Sequence, residues 1–184
     1  MINHIAGIDP LLVLAAVTQR YVVPMSKIEN FDNPFFRLCM NLYGVYAIRR
    51  GEVDRVALQN TIDLLRSGNA VLMAPEGHRQ PALNEAKDGV TYVALKSDAM
   101  VVPIGIDGTR EMLPNLKHLR RTPATVRFGK PFRFRANGRE RIPRPEMAHM
   151  IHEAMYQLAA LLPEYRRGFY SDLSKATTET IEFV

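Results

Sequence analysis

Ala70-Val71-Leu72-Met73-Ala74-Pro75-Glu76-Gly77-His78-Arg79 decides how the chain is read. Five apolar residues run without alternation and stop at a proline, as in a strand covered on both faces. Polar residues then crowd the turn. On the amino-terminal side, Asp54 to Arg66 sets Val56, Leu58, Ile62 and Leu65 near helical spacing, and Gly68 ends the run. On the other side, helical patterning returns from about Lys87 to Lys96, and an apolar strand follows at Met100 to Ile106. This alternation predicts an α/β fold, a single domain with a mostly parallel mixed sheet flanked by helices.

The pattern extends outward in both directions. Val22 to Met25 reads as a short strand, weakened by Pro24. Asn33 to Leu42 reads as a helix with Asn33 as cap and Pro34 after it, and Gly44 to Ile48 as a strand. Residues 108–123 read as a long loop, Thr125 to Phe128 and Phe132 to Phe134 as β-strands. Arg144 to Leu162 has the pattern of a long amphipathic helix that Pro163 ends, and the tail from Thr177 reads as loose.

Bulk properties narrow the class. The 184 residues are 47% hydrophobic and 23% charged, enough for one domain with a real core. The single cysteine, Cys39, excludes an internal disulfide, fits a reducing compartment and reads as a core residue within the apolar run from Phe35 to Leu42. Neither a basic start nor a cleavage-like site marks a signal peptide. The longest mainly apolar run, Pro10 to Val17, is far short of the ~20 residues that span a bilayer. The net charge of +5 is concentrated: from Arg110 to Arg144 there are eleven basic residues against Glu111 and Glu140. Such a stretch suits a polyanion, an anionic membrane surface or simply a solvated basic face. A nucleic-acid platform would interleave more aromatics than Phe128, Phe132 and Phe134.

Sites in open α/β sheets form beyond the carboxyl ends of strands. Three predicted strand ends carry polar clusters: Arg49-Arg50-Gly51, Pro75 to Arg79, and Asp107-Gly108-Thr109-Arg110. The first and last are Arg/Gly turns able to hold a phosphate through guanidinium and backbone N–H groups. Near the start, Asn3-His4-Ile5-Ala6-Gly7-Ile8-Asp9 offers an imidazole and a carboxylate. A carboxylate that orients an imidazole makes a general base able to activate a hydroxyl. Residues five apart on one helix diverge by about 140°, so the two meet only if His4 lies on a turn and Asp9 opens a helix. Asp9 suits an N-cap and Pro10 the first helical position. His149 and His152 have no Asp or Cys at metal spacing and read as surface or core fillers, and no metal site is expected.

Taken in order, His4-x4-Asp9, Gly44 to Arg50, Pro75-Glu76-Gly77-x-Arg79 and Val102-Pro103-Ile104 resemble the four blocks of the glycerolipid acyltransferases, which include the 1-acylglycerol-3-phosphate (PlsC-like) enzymes. Lys87-x-Gly89, Gly129-Lys130-Pro131 and Leu161 to Arg166 agree with it. The resemblance runs from residue 3 to about 172, implying an acyltransferase domain over 1–172 with a tail at 173–184 and a glycerol-3-phosphate acyltransferase-like fold. It implies transfer of a fatty acyl group from acyl-CoA or acyl carrier protein, as co-substrate and without a further cofactor, to a lysophospholipid, 1-acyl-glycerol 3-phosphate, in phospholipid biosynthesis. By resemblance His4 is the general base and Asp9 the residue that orients it. Arg50 and Arg79 bind the acceptor phosphate, Glu76 and Gly77 shape its pocket, and Pro103 contacts the acyl chain or donor. The implied location is peripheral, on the cytoplasmic side of the membrane, through Arg120, Arg121, Arg133, Arg135 and nearby apolar side chains, with no nucleic-acid partner.

Three positions depart from the family pattern: Ala74 replaces an aromatic, His78 a threonine and Gln80 a serine, which bears on acceptor choice more than on reaction type. Family members also carry a strand ahead of the histidine block, where this chain has Met1, Ile2 and Asn3. The expectation is an N-terminal truncation, or a form that works without that strand, with little chain to hold His4. The alternative function is a non-catalytic member of the same fold that binds lipid or an anionic surface.

Overall fold

The computed structural model describes residues 1–51, 53–139 and 141–184. Three parallel strands, β1 (Val22–Lys27), β2 (Tyr46–Ile48) and β3 (Ala70–Leu72), lie in the order β2-β1-β3. The hydrogen-bonded array continues past β3 through residues 1–3. Ile2 N donates to Met73 O at 2.9 Å and Ile104 N to Met1 O at 2.9 Å, and Ile2 pairs in parallel with Ile104. Beyond them stands β4 (Ile104–Asp107), paired antiparallel with β5 (Thr125–Phe128). A Val101–Phe132 bridge leads to an antiparallel pair, β6 (Phe132–Phe134) and β7 (Ile181–Phe183). β3 thus has neighbours on both edges, which agrees with its unbroken apolar run.

The residues just ahead of His4 are held firmly in this arrangement. Met1–Asn3 themselves fill an interior slot between β3 and β4, with Met1 and Ile2 both buried. A three-residue segment joined by a single bridge has no periodicity to read, so the sequence pattern could not announce it.

α1 (Asp9–Ala16) lays Val13 against Ile2, Val22, Leu72, Ile104 and Ile106. α2 (Pro34–Tyr43) begins where Asn33 Oδ1 accepts from Phe35 N and Phe36 N, and ends at Gly44, whose φ of 79° suits glycine. α3 (Arg55–Arg66) is capped by Asp54, which accepts from Ala57 N. A larger core joins α4 (Gly89–Ser97) and α6 (Arg144–Ala159) to β6 and β7 around Phe132, Met150, Met155, Leu158 and Tyr170.

Three expectations are corrected. The supposed loop at 108–123 contains α5 (Met112–Lys117), too short to show a helical period. Cys39 is exposed, because no residue of α2 is buried. The tail is packed: α7 (Glu164–Arg167) follows Pro163, β7 joins β6, and Ile181 is buried. Glu153, buried on α6, holds that tail by accepting from Glu179 N and Thr180 N, each at 2.8 Å, and from the Thr177 and Thr180 hydroxyls. A buried carboxylate needs such donors, and the threonines supply them.

Candidate active site

β1, β2, β3, the Met1–Asn3 segment and β4 run in one direction, so their carboxyl ends share an edge. The polar clusters emerge there. His4 leaves the Met1–Asn3 slot and enters a turn; Asp9 is the first residue of α1. His4 Nδ1 and Asp9 Oδ2 are 3.0 Å apart, at 8% and 0% exposure. The turn-then-helix geometry holds, but Asp9 is not an N-cap. Its Oδ2 points back along the chain and also accepts from Ile5 N at 2.6 Å and Ala6 N at 2.8 Å. Burial pushes the Asp9 carboxyl up, but hydrogen bonding from His4, Thr109, Ala6 and Ile5 outweighs it and holds the group below its ordinary value. The carboxylate is therefore charged and fixed. It binds the Nδ1 side of the imidazole, which leaves Nε2 as the atom for proton transfer.

Two residues that the sequence reading passed over hold this pair. Asn3 Nδ2 donates to Ile106 O at 2.9 Å, and Ile106 N donates to Asn3 Oδ1 at 2.7 Å. This side chain reproduces a strand ladder and clamps the residue before His4 to β4. The His4 carbonyl accepts from Gln80 N at 2.8 Å, which ties the same turn to the loop after β3. Thr109, at the end of β4, is buried, and neither its Oγ1 nor Asp9 Oδ1 meets a partner in strict hydrogen-bond geometry among the described residues. The hydroxyl nonetheless contributes to holding Asp9 ionised. Only tertiary contact links residues 3, 9 and 109, so no local signal could have paired them.

In front of His4 lies a cavity of about 250 Å³. Ile2, Leu58, Leu72, Met73, Ala74 and Val90 give it apolar walls; Arg49, Arg50 and Lys87 bring positive charge. Arg50 is held below the usual arginine range by desolvation and by repulsion from Arg79, against attraction from Glu29. Two guanidinium groups that repel one another suit an anion placed between them. Arg79 does not line the cavity; its guanidinium lies against Gly7, where a Cβ would approach Nη2 to 3.2 Å. Gly77 lines it at a φ of 75°, with Lys87 Nζ 3.9 Å from where a Cβ would stand. A side chain there would strain the backbone and push into the space beside that ammonium. The Lys87-x-Gly89 signal was visible in the sequence, but nothing there assigned Lys87 to the site.

Glu76 is buried, accepts from Asn84 N at 2.8 Å and from the His4 backbone, and is pushed up to about 7 by burial. It braces the loop to the His4 turn. Pro103 is not brought to the cavity: it is buried against Gly129, whose N donates to Pro103 O at 2.8 Å. His78 is exposed beside Gln80 and lines no part of the cavity. His152 Nδ1 lies 3.0 Å from the Tyr170 hydroxyl, and His149 lies near Glu153 and Glu179. Among the described residues, no three His, Cys, Asp or Glu side chains group as a metal site needs.

A histidine–aspartate pair beside an apolar, cation-rimmed cavity agrees with what comparison with known proteins finds. The structure aligns with the crystal structure of PlsC, the 1-acyl-sn-glycerophosphate (LPA) acyltransferase from Thermotoga maritima, at a TM-score of 0.61 and 21% identity, over 87% of this chain and 63% of that one. In sequence, it is 38% identical over 108 residues to a 1-acyl-sn-glycerol-3-phosphate acyltransferase of Chlamydomonas reinhardtii, covering 55% of this chain and 32% of that protein. A chloroplastic 1-acyl-sn-glycerol-3-phosphate acyltransferase of Brassica napus is 30% identical over 118 residues, covering 61% and 33%. The chain thus spans about a third of the length of these two relatives. The Acyltransferase family model matches residues 1–107, more than half of the chain and all of the segment that builds the cavity and the His4–Asp9 pair, and the chain belongs to that family.

Proposed function

We propose that this chain transfers a fatty acyl group from a thioester donor, acyl-CoA or acyl carrier protein, to the free hydroxyl of a lysophospholipid, 1-acyl-glycerol 3-phosphate. The observation that carries the proposal is the charged, buried Asp9 fixing the His4 imidazole at the wall of an apolar cavity rimmed by Arg49, Arg50 and Lys87. His4 removes the proton from the acceptor hydroxyl as its oxygen attacks the thioester carbonyl. Asp9 balances the imidazolium that forms, and the thiolate departs and takes up the proton. Arg50, with Arg79 and Lys87, holds the acceptor phosphate, while the apolar walls take part of an acyl chain. Glu76 and Gly77 keep the phosphate loop in place. Acceptor and product are bilayer lipids, so the proposal includes a peripheral position at a membrane surface, and the family resemblance supports its cytoplasmic side; among the described residues no helix is long and apolar enough to cross one. The test is a lipid mass-spectrometric assay with mixed lysolipid acceptors and both donor types. Diacylglycerol phosphate should accumulate. Acceptors lacking the phosphate should react far more slowly; equal rates with them would refute the acceptor assignment.

A further inference from the structure

We propose that α5 and the turn after it form a preformed knuckle that docks on an anionic lipid bilayer. The inference rests on the acyl-transfer reading only for its choice of a lipid partner. The knuckle presents Leu113, Leu116 and Leu119 to solvent at 46%, 60% and 93% exposure, beside exposed Lys117, Arg120 and Arg121. Leu119 combines that exposure with a φ of 55°. Leucine is rare in this region; here it is the left-handed residue that ends α5, and that turn turns its side chain out into solvent. The tip is not loose. His118 N and Arg120 N donate to Asn115 O at 3.0 and 2.9 Å, Leu119 N to Leu116 O at 3.0 Å, and Asn115 Nδ2 to Thr122 Oγ1 at 2.8 Å.

Its place in the fold matches the role. α5 begins at the carboxyl edge of the sheet, where Met112 N donates to Thr109 O at 3.1 Å, immediately behind the residue that backs Asp9. The knuckle is thus on the edge from which the site residues emerge. Apolar side chains flanked by cations match a bilayer surface that is apolar below and anionic above. Within 110–121 the cations Arg110, Lys117, Arg120 and Arg121 face the single acid Glu111. The other arginines expected to serve this purpose are engaged elsewhere, Arg133 with Asp98 and Arg135 near Glu182. The exposed face of α2 is larger in apolar residues but carries Arg37 as its single charge.

The test is co-sedimentation of the whole chain with phosphatidylcholine vesicles, with and without phosphatidylglycerol, at low and high salt, for wild type, Leu119→Ser, Arg120→Ala/Arg121→Ala and Phe36→Ser. Binding should require phosphatidylglycerol and fall with salt. It should drop about thirtyfold in the double arginine variant and about tenfold in Leu119→Ser, with Phe36→Ser close to wild type. Circular dichroism melts should be shared by all four proteins. Turnover of a short-chain, monomeric lysolipid should be the same in wild type and the knuckle variants. Wild-type chain that ignores anionic vesicles, knuckle variants that bind as wild type does, loss in Phe36→Ser alone, or a Leu119-dependent dimer in sedimentation velocity would each overturn the proposal. Vesicle binding without turnover of any lysolipid would leave the docking surface standing and refute the acyl-transfer reading instead.

Discussion

The two halves of the candidate site are built in opposite ways. The His4–Asp9 half is buried and over-determined, with Asp9 Oδ2 alone meeting His4 Nδ1, Ile5 N and Ala6 N. The half assigned to the phosphate is open: Arg50 and Arg79 are exposed, and desolvation and then the neighbouring Arg79 charge disfavour the Arg50 cation. A base must stand within a fraction of an ångström of its proton, so its fixing is done during folding. An anion-binding pair can wait, because the ligand supplies the charge that brings the guanidinium groups together. On the proposed reading, folding prepares the base and acceptor binding would complete the specificity.

Substitutions on either side should break this contrast in different kinetic parameters. Asp9→Asn keeps the shape but loses the charge that fixes the imidazole, so kcat in acyl transfer should fall on the order of 10³- to 10⁴-fold; steady-state rates with saturating acceptor measure it. Arg79→Ala and Arg50→Ala should instead raise the acceptor KM about ten- to a hundredfold, the loss of one charge-assisted hydrogen-bonding group, with kcat much less affected. If the arginine variants lost kcat at unchanged KM, the division of labour would be wrong.

Glu76 sharpens the comparison through pH. Its folded carboxyl titrates at about 7, above the ordinary glutamate value of 4.5. A raised carboxyl favours the folded state while protonated, so this contribution is intact below about 4.5 and lost as pH rises through 7. Asp9, held low, acts oppositely: its contribution is present above the ordinary aspartate value and lost as pH falls toward its folded one. Thermal melts should therefore show wild-type stability declining between about pH 5 and 8, and Glu76→Gln should flatten that decline. The smallest effect belongs to Thr109→Val. Removing one neutral hydroxyl behind Asp9 should lower kcat about five- to tenfold and move the acidic arm of the stability–pH profile upward as the carboxyl becomes easier to protonate. Thr109→Ser should restore both, whereas a profile unchanged in Thr109→Val would leave Thr109 with a packing role.

Legibility followed the range of the interactions. Asn33 and Asp54 cap their helices from within four residues, and the unbroken run at 70–74 declared an interior strand. His4, Asp9, Arg50 and Gly77 were found as ordered blocks and are brought to one site. What escaped depends on partners far along the chain. Asn3 acts through Ile106, Thr109 backs Asp9, and the tail is ordered by Glu153 on α6. Cys39 shows the reverse failure: an apolar stretch reads as core, yet α2 has no element packed over its outer face. Pro103, matched as a motif residue, packs against Gly129 and does not line the cavity.

The most direct test is the rate of lysolipid acylation by wild type and by His4→Ala, with product identified by mass spectrometry and folding checked by the melting transition. The account predicts phosphatidic acid formation by the wild type and a loss of about ten-thousandfold or more in His4→Ala, at least as large as in Asp9→Asn, with the melt preserved. A well-folded His4→Ala protein that acylates the acceptor at the wild-type rate would contradict it.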